Sequence, residues 1–304
     1  MRILVTGGAG FIGSHLVDRL VSDTGVEVFV LDNLHSGSTE NLRQSWNQIR
    51  FVEGDIRDSE LLCRLMPGKD AVMHFAAQSN VLGADRDLEY SFTTNVAGTF
   101  NVLRAAEQAH VGRVVFASSR EVYGEPKAMP VSETTPLEPK NAYGASKLAG
   151  EVYCRAFAAR GLHAVVLRLA NVYGSRDQGR VIPVFIDNAI QGKPLILNGG
   201  DQILDFIHVD TVTEVLCKAC FGVYLSEPVN IGSGIGITIK DVAQLILNLA
   251  GSFGATVCRH SNPLEVGRFV ADTTRLCSHF GVSPPKERMP GLEDLILARK
   301  GLVR

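Results

Sequence analysis

Apolar positions in the first half of the chain fall into two textures. Short runs rich in Val, Ile, Leu and Phe occur at 2–6, 26–31, 49–53, 71–75, 113–117 and 163–168. They are too short for helices and too continuous for half-exposed strands, which marks them as buried strands. Between them, apolar residues recur on one helical face at 14–22, 58–66, 93–109 and 143–160. Leu16, Val17, Leu20 and Val21 carry the first such face. Strand, helix and strand repeated in this way predict an α/β protein with a doubly wound parallel sheet covered on both sides. After Leu169 the pattern loosens. Strands are expected at 205–209 and 228–232, helices at 210–224 and 238–250, and a last helix after Pro290. The expected division is a dinucleotide-binding part at 1–170, with segments near 205–250 returning to its sheet, and a smaller α/β substrate-binding part at 171–304.

The junction of the first strand and first helix reads Thr6-Gly7-Gly-Ala-Gly10-Phe11-Ile12-Gly13. Glycines at this spacing make a tight turn that lets backbone N–H groups and a helix N-terminus face a pyrophosphate. The second strand ends at Asp32, about 20 residues beyond, where an acid meets the ribose hydroxyls of a dinucleotide. Asn33, Leu34 and His35 follow, with no arginine for a 2′-phosphate, so NAD is expected rather than NADP. Asp55 after the third strand faces the adenine or caps the next helix. His74-Phe-Ala76-Ala77-Gln78 after the fourth offers small residues beside a cofactor.

Tyr143 and Lys147 lie one helical turn apart and project from one face. A phenol ordinarily ionises near pH 10, and a cation about 4 Å away contributes roughly 4 kcal/mol at an effective dielectric near 20. Lys147, with an oxidised nicotinamide, is therefore expected to bring Tyr143 towards neutral pH as a general base. The strand ending in Ser118-Ser119 precedes this pair, which makes the combination far more specific than Y-x-x-x-K alone.

Charge narrows the classes. The 304 residues contain 30 Lys and Arg against 32 Asp and Glu, a net charge of −2, so nothing suggests nucleic acid. No apolar run reaches a membrane span, and Met1 leads straight into a strand rather than a signal peptide. Six scattered cysteines fit a reduced, cytoplasmic setting. Cys217 and Cys220 have no partners for a zinc site and read as two thiols on one helical face, so no metal is expected.

The motifs TGGAGFIG (6–13), LDNL (31–34), GDIRD (54–58), HFAAQ (74–78), TNVAGT (94–99), SSREVYG (118–124), YGASK (143–147), RLANVYG (168–174), DFIHVDT (205–211) and VADTTR (270–275) together resemble the extended short-chain dehydrogenase/reductases of the nucleotide-sugar epimerase, decarboxylase and dehydratase group. The resemblance implies a Rossmann-type fold, a tightly held NAD and oxidation of a nucleotide-diphosphate sugar at C4. It makes Tyr143 the base and Ser119 a hydrogen-bond donor to the C4 oxygen, with Lys147 on the nicotinamide ribose. Cofactor contacts are implied for Gly7, Gly10, Phe11, Ile12, Gly13, Asp32, Asn33, Asp55, Ile56, Ala76, Ala77, Gln78, Asn95 and Ser118, besides Tyr143 and Lys147. Asn171, Val181 and Arg268 match nucleotide-sugar positions, Arg268 as a diphosphate clamp. Family members pair through two helices per subunit, which implies a homodimer built on 93–109 and 143–160.

Two departures bear on the reaction. Arg120 stands where dehydratases of this group resemble one another in an acidic Asp, and a guanidinium cannot protonate a leaving hydroxyl. Glu121 matches the glutamate of dehydratases and uronate decarboxylases, and equally suits a carboxylate pairing with Arg120 or a neighbour. Leu204 replaces an arginine that usually contacts the diphosphate; Arg176 or Arg180 is the expected substitute, or meets a substrate carboxylate. The expectation is a 4-epimerase of UDP-glucose or UDP-glucuronate type. A UDP-glucuronate decarboxylase or unusual dehydratase using Glu121 is the rival. A non-catalytic NAD or nucleotide-sugar sensor is favoured only by Leu204 and opposed by intact Ser119, Tyr143 and Lys147.

Overall fold

A computed structural model describes residues 1–22, 25–222 and 225–302. Six strands follow one another in the N-terminal half: β1 (Arg2–Thr6), β2 (Glu27–Asp32), β3 (Ile49–Glu53), β4 (Ala71–His74), β5 (Arg113–Ser119) and β6 (Ala164–Leu169). The helices among them are α1 (Phe11–Val21), α2 (Ser59–Leu65), α3 (Val81–Arg86), α4 (Leu88–Phe92), α5 (Thr99–Gln108) and α6 (Ala142–Ala158). Every pairing in the main sheet is parallel, in the order β10-β6-β5-β4-β1-β2-β3, where β10 is Val229–Ile231. The chain builds outward from β1 through β2 and β3, then restarts at β4 on the other side. The crevice between β1 and β4 is thus the topological switch point, where open α/β sheets bind ligands. Buried apolar residues cover both faces. One cluster joins Ile3, Val5, Leu16 and Val115 to Val212 and Leu216, and the other joins Leu4, Val72, Val102, Phe116 and Phe157.

The later chain adds β7 (Asn171–Tyr173), α7 (Val181–Ile190), β8 (Leu195–Asn198), β9 (Ile203–His208) and α8 (Val209–Phe221). After β10 come β11 (Gly236–Thr238), α9 (Ile239–Ala250), β12 (Thr256–Arg259), β13 (Arg268–Phe269), α10 (Thr274–Phe280) and α11 (Leu292–Arg299). β9 pairs with β7, β11 and β13, and β8 pairs with β12. α8 crosses back onto α1, and β10 joins the main sheet beside β6. The last two residues of the helix expected at 210–224 lie outside the described residues.

The span expected as one helix at 93–109 is a π-helical turn, Thr93–Gly98, followed by α5. Asn95 lies in that wider turn. Its Oδ1 accepts from the Gln78 N–H (2.7 Å), and its Nδ2 donates to the Gln78 carbonyl (3.1 Å) and the Ser146 hydroxyl (2.9 Å). The extra residue turns the side chain inward and satisfies buried backbone of another segment, which local spacing does not reveal.

A buried polar network ties β6, α6 and β10 together. Arg168 donates to both oxygens of Glu151 (2.9 and 2.7 Å) and to the Tyr123 hydroxyl (2.9 Å). Tyr123 donates to Asn230 Oδ1 (2.6 Å). Arg168→Ala would leave Glu151 as an uncompensated buried charge and is expected to lower stability by about 3–5 kcal/mol, measured by urea denaturation. A loss below about 1 kcal/mol would mean that the network is dispensable.

Candidate active site

The glycine turn is held open by contacts that admit no side chain. Gly7 adopts φ +73°, and a Cβ there would lie 2.6 Å from the Ala76 nitrogen. A Cβ on Gly13 would lie 2.2 Å from the Gly7 carbonyl oxygen. The first turn of α1 thereby meets the ends of β1 and β4 backbone to backbone. Gly10 caps α1 without a side-chain hydrogen bond, and no acid stands in the first turn, which leaves N–H groups for a pyrophosphate. Asp32, 7% exposed, accepts from the N–H groups of Ala9 and Leu34, both at 2.9 Å. Burial pushes its pKa up, against the lowering effect of those two N–H groups. These residues fit a dinucleotide.

At the adenine end, Asn33 Nδ2 donates to Asp55 Oδ2 (2.8 Å), and Arg57 grips both oxygens of Asp55 (3.0 and 2.8 Å). Burial raises the Asp55 pKa, but Arg57 and Asn33 outweigh it and the net shift is downward. Arg57 also lies over the Tyr90 ring at 4.9 Å, and the His35 ring lies 4.5 Å from it. Arg57 lies inside the GDIRD motif, but its local spacing does not reveal this role. Ile56 is buried against Gly98, where a Cβ would lie 2.6 Å away. His74 bridges Thr6 (2.7 Å) and Thr99 (3.0 Å), and burial, with Lys147 adding, lowers its pKa to about 3, so it is a neutral structural link.

The reactive end is built by β5 and α6. Asn141 caps α6, its Oδ1 accepting from the Gly144 N–H at 2.8 Å. A Cβ on Gly144 would lie 2.5 Å from the Glu121 carbonyl oxygen, and one on Gly150 would lie 2.5 Å from Phe116 Cζ. Those two glycines let α6 lie directly on β5 and the short 3₁₀ turn Arg120–Tyr123 that follows it. Tyr143 is thereby delivered to Ser119, whose hydroxyl hydrogen-bonds the phenol. Lys147 Nζ donates to the Ala117 carbonyl (2.9 Å) and lies 5.9 Å from the Tyr143 ring centre.

The electrostatics differ from the expectation. Tyr143 keeps some surface on the cleft, yet burial of the phenol pushes its pKa up to about 12. Arg180 is the strongest charge opposing that rise, followed by the Ser119 hydrogen bond, while Glu121 adds to the rise and Arg120 opposes it. Lys147 therefore does not act as the main cation on the phenol in the protein alone, because its ammonium is turned to the β5 carbonyl. Arg180 precedes α7 and reaches across the cleft, 5.7 Å over the Phe11 ring, with its Nη1 3.3 Å from Asp177. Burial holds Asp177 up at about 6 against the pull of Arg180.

The other expected site residues are spread more widely. Ser118 donates to Glu151 within the buried network and is 2% exposed. Asn95 positions Gln78 as described. Ala76 and Ala77 continue from β4 along the crevice, and Ile12 packs in the first turn of α1. Asn171 donates to the Asp205 carbonyl (3.0 Å), and Val181 begins α7. Arg176 pairs with Asp18 on α1 (2.5 Å). Arg268 is exposed on β13 opposite Ile203. Leu204 sits in an apolar cluster with Tyr173, Ile182 and Phe206, while Asp205 on the opposite face accepts from Ser233, Gly234 and Ala271. Glu121 is 4% exposed, with Arg120 on one oxygen (2.9 Å) and Asn141 on the other (2.7 Å). Asn141 was missed in the sequence, although an Asn two residues before Tyr143 carries a readable helix-cap signal.

A Rossmann sheet with a glycine turn at its switch point and a Ser–Tyr–Lys group beside it defines an oxidoreductase-type dinucleotide site. Residues 3–232 match the NAD dependent epimerase/dehydratase family, and the chain belongs to it. A putative UDP-glucose 4-epimerase of Methanocaldococcus jannaschii is 35% identical over 302 residues, 97% of each chain. The UDP-glucose 4-epimerase of Thermotoga maritima, solved with UDP-glucose, superposes with a TM-score of 0.94 at 32% identity over the whole of both chains. A dTDP-glucose 4,6-dehydratase of Streptomyces venezuelae, solved with NAD, gives 0.92 at 33% identity, covering 99% of this chain and 97% of that one. The chain is therefore an NAD-dependent nucleotide-sugar enzyme, similar to epimerases and dehydratases alike. Among the described residues, no helix is long and apolar enough to cross a membrane.

Burial pushes Lys147 down from its ordinary 10.5 to about 8. Between those values the unfolded chain binds the proton that the folded protein releases, so the contribution of this group to stability rises with pH. Urea denaturation of wild type and Lys147→Met at about pH 7.5 and about pH 9.5 is expected to show the wild type gaining on the variant. Parallel pH dependence in the two proteins would contradict it.

Proposed function

We propose that the protein is an NAD-dependent 4-epimerase of a nucleotide-diphosphate hexose of UDP-glucose type. The observation that carries this reading is the Tyr143 phenol hydrogen-bonded to Ser119 at the end of β5, with Arg180 the strongest cation acting on it and Lys147 one helical turn away on the Ala117 carbonyl. Tyr143 takes the proton from the C4 hydroxyl, and Ser119 donates to the C4 oxygen. NAD, held by the glycine turn and Asp32, would supply the acceptor and donor of the C4 hydride, and a cationic oxidised ring would add to the charge of Arg180 on the phenol. With its pKa near 12 in the protein alone, Tyr143 stays protonated until that charge and the substrate are in place.

Arg180 and the N-terminus of α7 at Val181 would receive the diphosphate, with Asn171 and Arg268 flanking the nucleotide. Arg180 takes over the charge missing at Leu204. The decarboxylase and dehydratase rivals both need Glu121 as an acid or base, and its two oxygens are already taken by Arg120 and Asn141. The division at about residue 170, with the cofactor on the N-terminal side, belongs to the same reading, as does a cytoplasmic location suited to six cysteines that form no disulfide among the described residues.

Purified protein given UDP-glucose without added NAD is expected to yield an isomer of unchanged mass, read by mass spectrometry and NMR. Tyr143→Phe is expected to lower that turnover by about 10²–10⁴-fold. Unchanged turnover in the variant would remove Tyr143 from the mechanism.

A homodimer completes the proposal. Leu88 and Phe92 on α4 and Val152 and Tyr153 on α6 are exposed large apolar residues on neighbouring helices, beside Phe100 of α5. Light scattering at working concentration is expected to give twice the 32.8 kDa chain mass, and a monomeric mass would sink this assignment.

A further inference from the structure

We propose that Arg120 and Asn141 restrain Glu121 from acting as a base on the 4-keto sugar, and so direct the reaction to epimerisation rather than loss of water. This rests on the 4-epimerase reading above. The need for restraint follows from the chemistry of the intermediate. A ketone at C4 acidifies the C5–H, and the C6 hydroxyl lies β to that carbonyl. A base that removes the C5 proton lets the electron pair form a C5–C6 double bond as the C6–O bond breaks. The departing hydroxide takes a proton and leaves as water. No oxidant or reductant is consumed in that step, so only the placement of acids and bases prevents it.

Glu121 is the carboxylate best placed to cause it. Its N–H donates to Ser119 Oγ (3.2 Å), and its charge acts on the Tyr143 phenol. The structure occupies both of its oxygens. Arg120 Nη2 lies 2.9 Å from Oε1, and Asn141 Nδ2 donates to Oε2 at 2.7 Å. Each holder is itself held. The Arg120 guanidinium lies 6.0 Å over the ring of Phe269, which is fully buried, and Asn141 is fixed by Gly144 and by the Leu264 carbonyl (3.0 Å).

The arrangement costs stability. Arg120 is 9% exposed, and its Nη1 is buried with no hydrogen-bond partner among the described residues. A buried charged group with an unmatched donor is destabilising, and an apolar side chain of similar size would usually serve packing better. A role in controlling Glu121 accounts for a guanidinium here where packing does not. Glu265, on the segment that carries Leu264, faces the same pair. Burial and the Glu121 charge push its pKa up, and Arg120 opposes the rise. Arg120 thus acts on both carboxyl groups, paired with Glu121 at 2.9 Å and opposing the rise at Glu265.

Arg120 and Asn141 are thus positioning residues, and the readout that separates this role from a structural one is exchange at C5. Wild type, Arg120→Gln and Asn141→Ser would be given UDP-glucose in D₂O, with C5 followed by NMR and water loss by mass. Serine retains a cap for α6 while dropping the contact to Glu121. Wild type is expected to epimerise with protium kept at C5. The variants are expected to incorporate deuterium at C5, or lose water, about 10-fold or more above wild type, within the range that a positioned base contributes. Arg120→Gln combined with Glu121→Gln is expected to return to the wild-type baseline. NAD retained on purification identifies variants that fold. Variants that retain NAD and epimerise without C5 exchange would overturn the restraint alone, as would exchange that survives Glu121→Gln. Wild type that fails to isomerise UDP-glucose would overturn the epimerase reading, and the restraint with it.

Discussion

Gly7 lies against the backbone of Phe75 and Ala76 with no room for a methyl group, and Gly13 lies as tightly against Gly7. That backbone-to-backbone approach fixes where β1, β4 and α1 meet, and everything around the cleft takes its position from it. It sets the turn that leaves α1 uncapped, places Asp32 under the Ala9 N–H, and brings Phe11 to where Arg180 crosses from the C-terminal side. A side chain at either glycine would separate elements whose buried strands have no other way to share the crevice.

A second constraint operates at the reactive end through polar side chains that satisfy distant backbone. Asn95 serves Gln78 and Ser146, Asn141 serves Gly144, Glu121 and Leu264, and Asp205 serves Ser233, Gly234 and Ala271. Each joins segments far apart in the chain. Buried polar groups of this kind contribute little when paired and cost a great deal when orphaned, so they specify one arrangement rather than adding bulk stability. The geometry of the candidate site therefore follows from satisfying buried donors and acceptors.

Similarity to epimerases and to dehydratases is nearly equal over the whole chain, so neither fold nor identity chooses between their reactions. The choice falls to a few groups around residues 118–124. In the proposed mechanism the shared chemistry uses Ser119, Tyr143 and Lys147, whereas the fate of the keto sugar would depend on which carboxylates and cations surround it. There the chain carries Arg120 and Glu121 as a buried pair. The high pKa of Tyr143 comes first from burial of the phenol, with Glu121 adding a smaller rise that Arg180, Ser119 and Arg120 oppose.

The sequence by itself determined the parallel sheet, the strand and helix order and the dinucleotide turn, because buried strands and helical faces have local periods of their own. The Tyr143–Lys147 spacing and the Asp32 position were equally readable, since one helical turn and one strand end fix them. Tertiary structure decided what depends on through-space partners. It turned Lys147 to the Ala117 carbonyl, put Arg180 across the cleft and committed Arg176 to Asp18. It also made the start of the 93–109 helix a π-turn around Asn95. Whether Glu121 is free or restrained could not be read from its neighbours in sequence. One of its partners is adjacent, but the other is twenty residues away, and charge and burial at a site are sums over whatever the fold brings near.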